Sequence, residues 1–330
     1  MADQEEVQTS AASVVARPDD AARASHLAAE LTTALSRVVR GKPQAVRLAL
    51  VALLSGAHLL VEDVPGVGKT LLGKALARAV GCTFRRVQAT PDLLPGELTG
   101  VSIFSQHHEE WEFRPGPLFA NVVLVDEVNR ATPRTQSALL EAMEERQVTV
   151  DGTTHPLPDP FVVVATQNPF EHVGTFPLVE GQRDRFGVVV EMGLPGRDTE
   201  RELLLGRGGT GSLEDLSPVT GPEGLRAAIA AVRRVHCAPE VADYIVEISS
   251  AIRSHPEVRH GASPRASLSL LNAARAQAVL AGRSFVSPDD VKQVAAPSLA
   301  HRLILNGGPD LHGGGALVRA VLDRVPVPRG

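Results

Sequence analysis

Gly66-Val67-Gly68-Lys69-Thr70 stands between an apolar run, Leu59-Leu60-Val61, and a segment with the apolar spacing of a helix. Strand, glycine-rich loop and helix in that order are the context in which such a motif binds phosphate. The two glycines let backbone N–H groups curl around an anion, and the amino end of the helix adds partial positive charge. Lys69 can reach the β- and γ-phosphates of a nucleotide, and the Thr70 hydroxyl is a ligand for Mg²⁺. Asp63 stands where the usual pattern has its first glycine. A carboxylate turned into a phosphate loop would repel its ligand, so Asp63 is expected to point away.

Further along, Val122-Val-Leu-Val-Asp126 is an apolar strand followed by Glu127. This is the Walker B pattern: Asp126 would hold Mg²⁺ through its water shell, and Glu127 would orient or deprotonate the attacking water. The run from Phe161 ends in Asn168-Pro169, where the proline keeps Asn168 extended. Ligands of open α/β sheets bind beyond the carboxyl ends of the strands, so Asn168 could contact the γ-phosphate or the water. Two arginines complete the set. Arg185 directly precedes a strand, and Arg265 follows Ser263-Pro264 in the first turn of a helix. A cation there opposes the helix dipole and is better placed if an anion lies opposite.

These residues need a frame. Five apolar runs occur at His58–Glu62, Thr83–Gln88, Val122–Asp126, Phe161–Thr166 and Gly187–Glu191, with helical patterns between several of them. That alternation predicts a doubly wound α/β layer. Four runs read as buried parallel strands, and Thr83–Gln88, with two arginines, reads as an edge. Thr132-Pro133 opens a helix whose apolar face is Ala138, Leu139, Ala142 and Met143. Two segments interrupt the alternation: Gly96 to Gly116, which carries Trp111, and Gln147 to His155, a β-hairpin around Asp151-Gly152. Neither shows a need to pack in a core, which makes both candidate working parts.

The chain divides into a polar tail at 1–20, an α/β domain at 21–196 and a domain with only helical patterning at 197–330. The tail is expected to be disordered. In the last domain, Ser287-Pro288-Asp289-Asp290 has the form of a capping box. At 330 residues with 43% apolar content, the chain can bury two cores, and no apolar run approaches a membrane span. The acidic start lacks an apolar signal region, and Cys82 and Cys237 have no metal or redox spacing. A cytoplasmic protein with reduced thiols is expected. A net charge of −5 and 3% aromatics argue against a dedicated nucleic-acid binder. The His107-His108-Glu109-Glu110 run reads as a solvated loop, because a contiguous run does not surround one ion.

Taken in order, GVGKT, LVDEVNRATPRTQSALLEAMEERQVTVDG, FVVVATQNP, DRF and GASPRASLSLL resemble the MoxR family of AAA+ ATPases over residues 40–325 or so. The resemblance implies an α/β P-loop core, a parallel five-stranded sheet of order 5-1-4-3-2, with a C-terminal all-α lid. It seats Asn168 as sensor 1, between the P-loop and Walker B strands. It makes Gly96–Gly116 the helix-2 insert and Gln147–His155 the pre-sensor hairpin. Arg185 matches the arginine finger and Arg265 sensor 2. Val39 and Gly41 match the segment lining the adenine pocket, and Pro65, Val67 and Leu71 belong to the nucleotide-binding loop and its helix. Arg183, where an apolar residue is usual, and His172, in a usually acidic loop, are departures. The implied activity is Mg²⁺-dependent ATP hydrolysis by a homo-oligomer, a hexameric ring, that matures or activates a client. In the family the client often contains a von Willebrand factor A domain. The residues also leave room for a small-molecule kinase, a DNA-acting motor or a metal-chelatase motor subunit.

Overall fold

A computed structural model of the chain describes residues 18–169, 174–205, 213–307 and 311–328. The five apolar runs form one parallel sheet of β1 (His58–Glu62), β2 (Phe84–Gln88), β3 (Val122–Asp126), β4 (Val162–Gln167) and β5 (Phe186–Val190). Every pairing is parallel, in the order 2-3-4-1-5, which read from the other edge is 5-1-4-3-2. Strands β1, β3, β4 and β5 are buried along their whole length. The arginines of β2 are exposed at the sheet's edge.

Strand alternation sends successive side chains to opposite faces. Leu59, Val61, Leu124, Val164 and Val188 pack toward the helices Lys69–Ala79 and Pro43–Ser55, in a core continuous with the C-terminal helices. Leu60, Val123, Val163 and Val189 pack against Leu139 and Met143 of the Pro133–Glu145 helix. Thr132 caps that helix, accepting from the Thr135 N–H at 3.4 Å.

The first described helix, Pro18–Val38, starts inside the segment expected to be a tail and buries Leu31 and Leu35. The rest of that tail, and His172, lie outside the described residues. The C-terminal region is built from Pro222–Arg233, Pro239–Arg253, Pro264–Leu280, Pro288–Leu299 and Leu311–Arg324. Ser287 and Asp290 close the expected capping box, with Ser287 N–H donating to Asp290 at 2.8 Å and Asp290 N–H to Ser287 at 3.3 Å. The region is not purely helical, because Val258–His260 pairs with Ile304–Leu305. Strands that short carry no period-two signal.

Both interruptions of the α/β alternation are antiparallel hairpins: Gly100–Ser105 with Glu110–Pro115, and Gln147–Val150 with Thr153–Pro156. Asp151 and Gly152 turn the second with φ of +50° and +80°, the left-handed pair that tight hairpins favour. The expectation that neither segment serves a core is corrected at their roots, where Leu98 and Val148 are buried. Gly100 and Gly116 cross so closely that a Cβ on Gly116 would meet Leu98 O at 2.3 Å. The hairpins also lean on each other, with Phe113 stacked on His155 at 3.9 Å. Phe104 and Trp111 form an edge-on pair in solvent.

Candidate nucleotide site and a distant arginine pair

The P-loop follows β1 and ends in Gly68, whose φ of +98° starts the Lys69–Ala79 helix. Gly66 is also left-handed at +85°, and nothing lies within 4 Å of a Cβ placed there. Val67 is buried, while Pro65, Gly66 and Leu71 are exposed. Lys69 Nζ donates to Asp63 O at 2.7 Å and Gln167 O at 3.2 Å. Burial pulls the Lys69 ammonium below its ordinary range, and Asp63, Glu127 and Asp126 partly restore it. A half-buried cation beside an open, glycine-built cradle fits a triphosphate.

The Asp63 carboxylate is taken up by backbone N–H groups on either side of it. Its Oδ1 accepts from Val64 N–H at 2.7 Å and its Oδ2 from Gly193 N–H at 2.6 Å. Lys42, a residue the sequence did not single out, donates to Gly193 O from the other side. Beside it, Val39 is buried, and a Cβ on Gly41 would lie 2.7 Å from Thr199 Oγ1. Gly41 therefore packs against the start of the Arg197–Leu204 helix, and its neighbour Lys42 against Gly193, which bonds the residue that leads into the P-loop.

Thr70 Oγ1 faces both Asp126 oxygens at 3.4 Å. Two hard oxygen donors side by side suit Mg²⁺. Asp126 also accepts from Thr166 at 3.3 Å and from Arg86 Nε at 2.7 Å. Glu127 occupies left-handed backbone, φ +57°, which a non-glycine residue keeps only where its surroundings hold it. Its N–H donates to Thr166 Oγ1 at 3.0 Å, Gln88 Nε2 donates to its Oε2 at 2.8 Å, and Arg130 Nε lies 3.2 Å from that oxygen. Asn168 follows β4, between β1 and β3, and its carbonyl takes a long 3.5 Å bond from Asn129. Lys69, Thr70, Asp126, Glu127 and Asn168 thus converge at the carboxyl ends of three adjacent strands.

Arg86 and Gln88 escaped the sequence reading, although a signal was present. Both lie on β2 in register with Leu124 and Asp126 of β3, so period two sends them to the same face as the acid.

Arg185 and Arg265 are also brought together, but elsewhere. Arg185 Nη2 lies 2.6 Å from Glu144 Oε2, and Arg265 Nη1 lies 2.7 Å from Glu144 Oε1. Asp184 stands 3.7 Å from Arg265 Nε and 3.2 Å from the nearly buried Arg302 Nε. The anion opposite Arg265 in the isolated chain is therefore a pair of carboxylates. These groups line a cleft of about 290 Å³ with Gly56, His58 and Gly187, at the amino ends of β1 and β5. Five residues of β1 at about 3.3 Å each separate this level from the P-loop by roughly 15 Å. On the cleft floor, His58 Nδ1 accepts from Val163 N–H and its Nε2 therefore donates to Met143 O, each at 3.0 Å. Burial holds this neutral imidazole down at about 4.

His108, Glu110 and Glu112 of the first hairpin bring their ligand atoms within 4.8 Å of one another, with His108 and Glu110 exposed and Glu112 half-buried. Strand alternation puts Glu110 and Glu112 on one side, and the turn brings His108 Nδ1 to 2.7 Å from Glu112 Oε1.

The parallel order 5-1-4-3-2 with a glycine-built phosphate loop, strand-end acids and a helical lid defines an AAA ATPase. A family model described as ATPase family associated with various cellular activities matches residues 58–188, and an AAA lid domain matches 250–321. Chaperone MoxR1 of Mycobacterium tuberculosis (strain ATCC 25618 / H37Rv) is 44% identical over 297 residues, 86% of this chain and 78% of that protein. The uncharacterized protein YeaC of Bacillus subtilis (strain 168) is 47% identical over 296 residues, 89% and 92% of the two chains. A crystal structure of a Cytophaga hutchinsonii protein assigned as an ATPase superposes with a TM-score of 0.85 at 34% identity, covering 94% of this chain and 98% of that one. The chain belongs to the MoxR family of AAA+ ATPases.

Proposed function

We propose that this ATPase hydrolyses ATP at sites shared between subunits of a homo-oligomeric ring, six as in the family, and couples turnover to the maturation or activation of a client protein. The supporting observation is the separation of two half-sites. The P-loop, Asp126, Glu127 and Asn168 stand beyond the carboxyl ends of the strands, while Arg185 and Arg265 meet at Glu144 by their amino ends. Neither arginine reaches the P-loop of its own subunit across roughly 15 Å of strand. A head-to-tail contact that brings one subunit's arginines to the next subunit's phosphates is heterologous, and closes into a ring.

Within a site, Gly66, Gly68 and Lys69 hold the triphosphate, and Val39, Gly41, Pro65, Val67 and Leu71 surround the rest of the nucleotide. Thr70 and Asp126 hold Mg²⁺, which when bound neutralises charge on the phosphates. Glu127 leaves Gln88 to orient and deprotonate the water, and Asn168 fixes that water or the γ-phosphate. Arg185, and with it Arg265, neutralises the charge that develops on the neighbour's nucleotide. The α/β unit spans 21–196 and the lid 197–330. The exposed Phe104 and Trp111 and the Asp151-Gly152 tip are the surfaces offered to the pore or client. A client carrying a von Willebrand factor A domain and a cytoplasmic location complete the reading. Among the described residues no helix is long and apolar enough to cross a membrane.

Mixing tests the shared site. An arginine supplied in trans is worth about 10³–10⁵ in rate, so Arg185→Ala and Lys69→Ala subunits are each inactive alone. Mixed rings contain intact P-loops facing intact arginines and recover part of the ATPase rate. Absence of recovery in rings verified as mixed refutes the reading, as does full activity in a dilute monomer.

A further inference from the structure

Arg183 carries a charge on a side chain that is only 14% exposed. Its Nη2 lies 2.8 Å from Oε1 of Glu62, which is 2% exposed. Glu62 is the last residue of β1 and is followed directly by Asp63 at the root of the P-loop. The same Oε1 accepts from Gln167 Nε2, at the end of β4, and the Gln167 carbonyl accepts from Lys69. One buried carboxylate thus ties together the ends of two central strands and the segment leading into β5.

A buried pair of this kind is a weak source of stability, because desolvation offsets most of the Coulombic gain. It does specify geometry: a carboxylate left unpaired there is costly, so the segment cannot drift away from it. Holding the segment is needed, because Arg183 closes a helix of only four residues, Glu180–Arg183, which cannot hold itself rigid. Arg185 is two residues further on and one residue before β5.

We infer that Arg183 is a positioning residue for Arg185. Its buried pair with Glu62 fixes the short segment bearing the arginine offered to the neighbouring subunit, and refers that segment to the strand ends carrying the subunit's own P-loop. The inference rests on the shared-site reading of Arg185 above.

The mixed ring isolates this role. Lys69→Ala subunits donate only the arginine, and Arg185→Ala subunits donate only the P-loop. Arg183→Leu together with Glu62→Gln, which leaves no buried charge unpaired, is added to the arginine donors alone. A displacement of about 1 Å costs about a hundredfold in rate. The recovered kcat is therefore expected to fall about tenfold to a hundredfold, with KM for ATP unchanged, because the working P-loops are untouched. Arg183→Lys in the same donors, which keeps a cation against Glu62, returns most of the rate. Unchanged recovery with the double substitution overturns the inference. A loss traced by size-exclusion chromatography to donors that no longer enter rings also overturns it, because it shows a folding or assembly role. If the parent mixture shows no recovery, the shared site itself fails, and that result is read before Arg183 is altered.

Discussion

Acidifying the protein should weaken it through His58, by an amount that follows from its place on the floor of the arginine cleft. The ring is buried, and both nitrogens are committed in the neutral form, with Nδ1 accepting from Val163 and Nε2 donating to Met143. Burial is the main cause of its low value of about 4; Arg146 and Arg265 push the same way, and the Met143 carbonyl opposes them. Unfolded, the ring titrates near its ordinary 6.5. The folded value is the lower one, so the unfolded chain binds more protons and stability rises with pH. The contribution is complete above about pH 6.5 and is lost as pH falls toward about 4. Between about pH 7.5 and about pH 5 the linkage comes to about 2 kcal/mol. Urea unfolding at those two pH values, for the native chain and for His58→Gln, isolates the residue. A glutamine amide can accept from one neighbour and donate to the other without titrating. His301, also buried and also held low, remains in both proteins and cancels. The native chain should lose about 2 kcal/mol more than the variant on acidification. A difference below about 0.5 kcal/mol would refute the assignment of a neutral, fully committed ring.

Two further outcomes concern the nucleotide half-site. Glu127→Gln should bind ATP with near-native affinity yet turn it over at least about a hundredfold more slowly, whereas Lys69→Ala should lose binding. Nucleotide titration alongside phosphate-release kinetics separates the two, and near-normal turnover by Glu127→Gln would remove Glu127 from its role. Arg86→Ala should lower the Mg²⁺ concentration needed for tight nucleotide binding by a few-fold, because it removes a cation bonded to Asp126 at 2.7 Å. Arg86 is nearly half exposed, and solvent screening keeps the effect that small. An increase in the Mg²⁺ requirement would show that Arg86 supports the metal site instead of competing for it.

Local pattern carried the nucleotide half-site. Gly66 to Thr70, Asp126-Glu127 and Asn168-Pro169 each follow an apolar strand, and strand ends on one edge of a parallel sheet must meet. The strand runs, the Thr132 cap and the Ser287–Asp290 box were likewise legible, because each depends on residues a few positions apart. Strand order was not: periodicity tells that β4 is a buried strand, but only the whole fold, or likeness to a family, inserts it between β1 and β3. The buried roots of the hairpins were missed for a related reason. Leu98 sits in a mostly polar stretch, and its burial is set by Leu118 N–H donating to its carbonyl, with Gly100 and Gly116 crossing at the hairpin's base.

Glu144 shows why the other half-site could not be read in the same way. It lies 121 residues from Arg265, in a helix whose polar face gives no reason to prefer it over Glu141 or Glu145. Its importance is that it receives both arginines, at 2.6 and 2.7 Å. Two guanidiniums side by side repel one another unless an anion stands between them. In the isolated chain Glu144 is that anion, with Asp184 behind it and Arg302 anchoring Asp184. If the two half-sites are shared as proposed, a neighbour's γ-phosphate would compete with Glu144 for the same two cations. The surface pairs are worth little individually because their side chains are one-third to nearly half exposed. A phosphate carrying more charge can therefore displace the carboxylate at small cost, while Arg302, donating to the Asp184 and Phe186 carbonyls and to Ser269 Oγ, ties the backbone around Arg185 to the helix that carries Arg265.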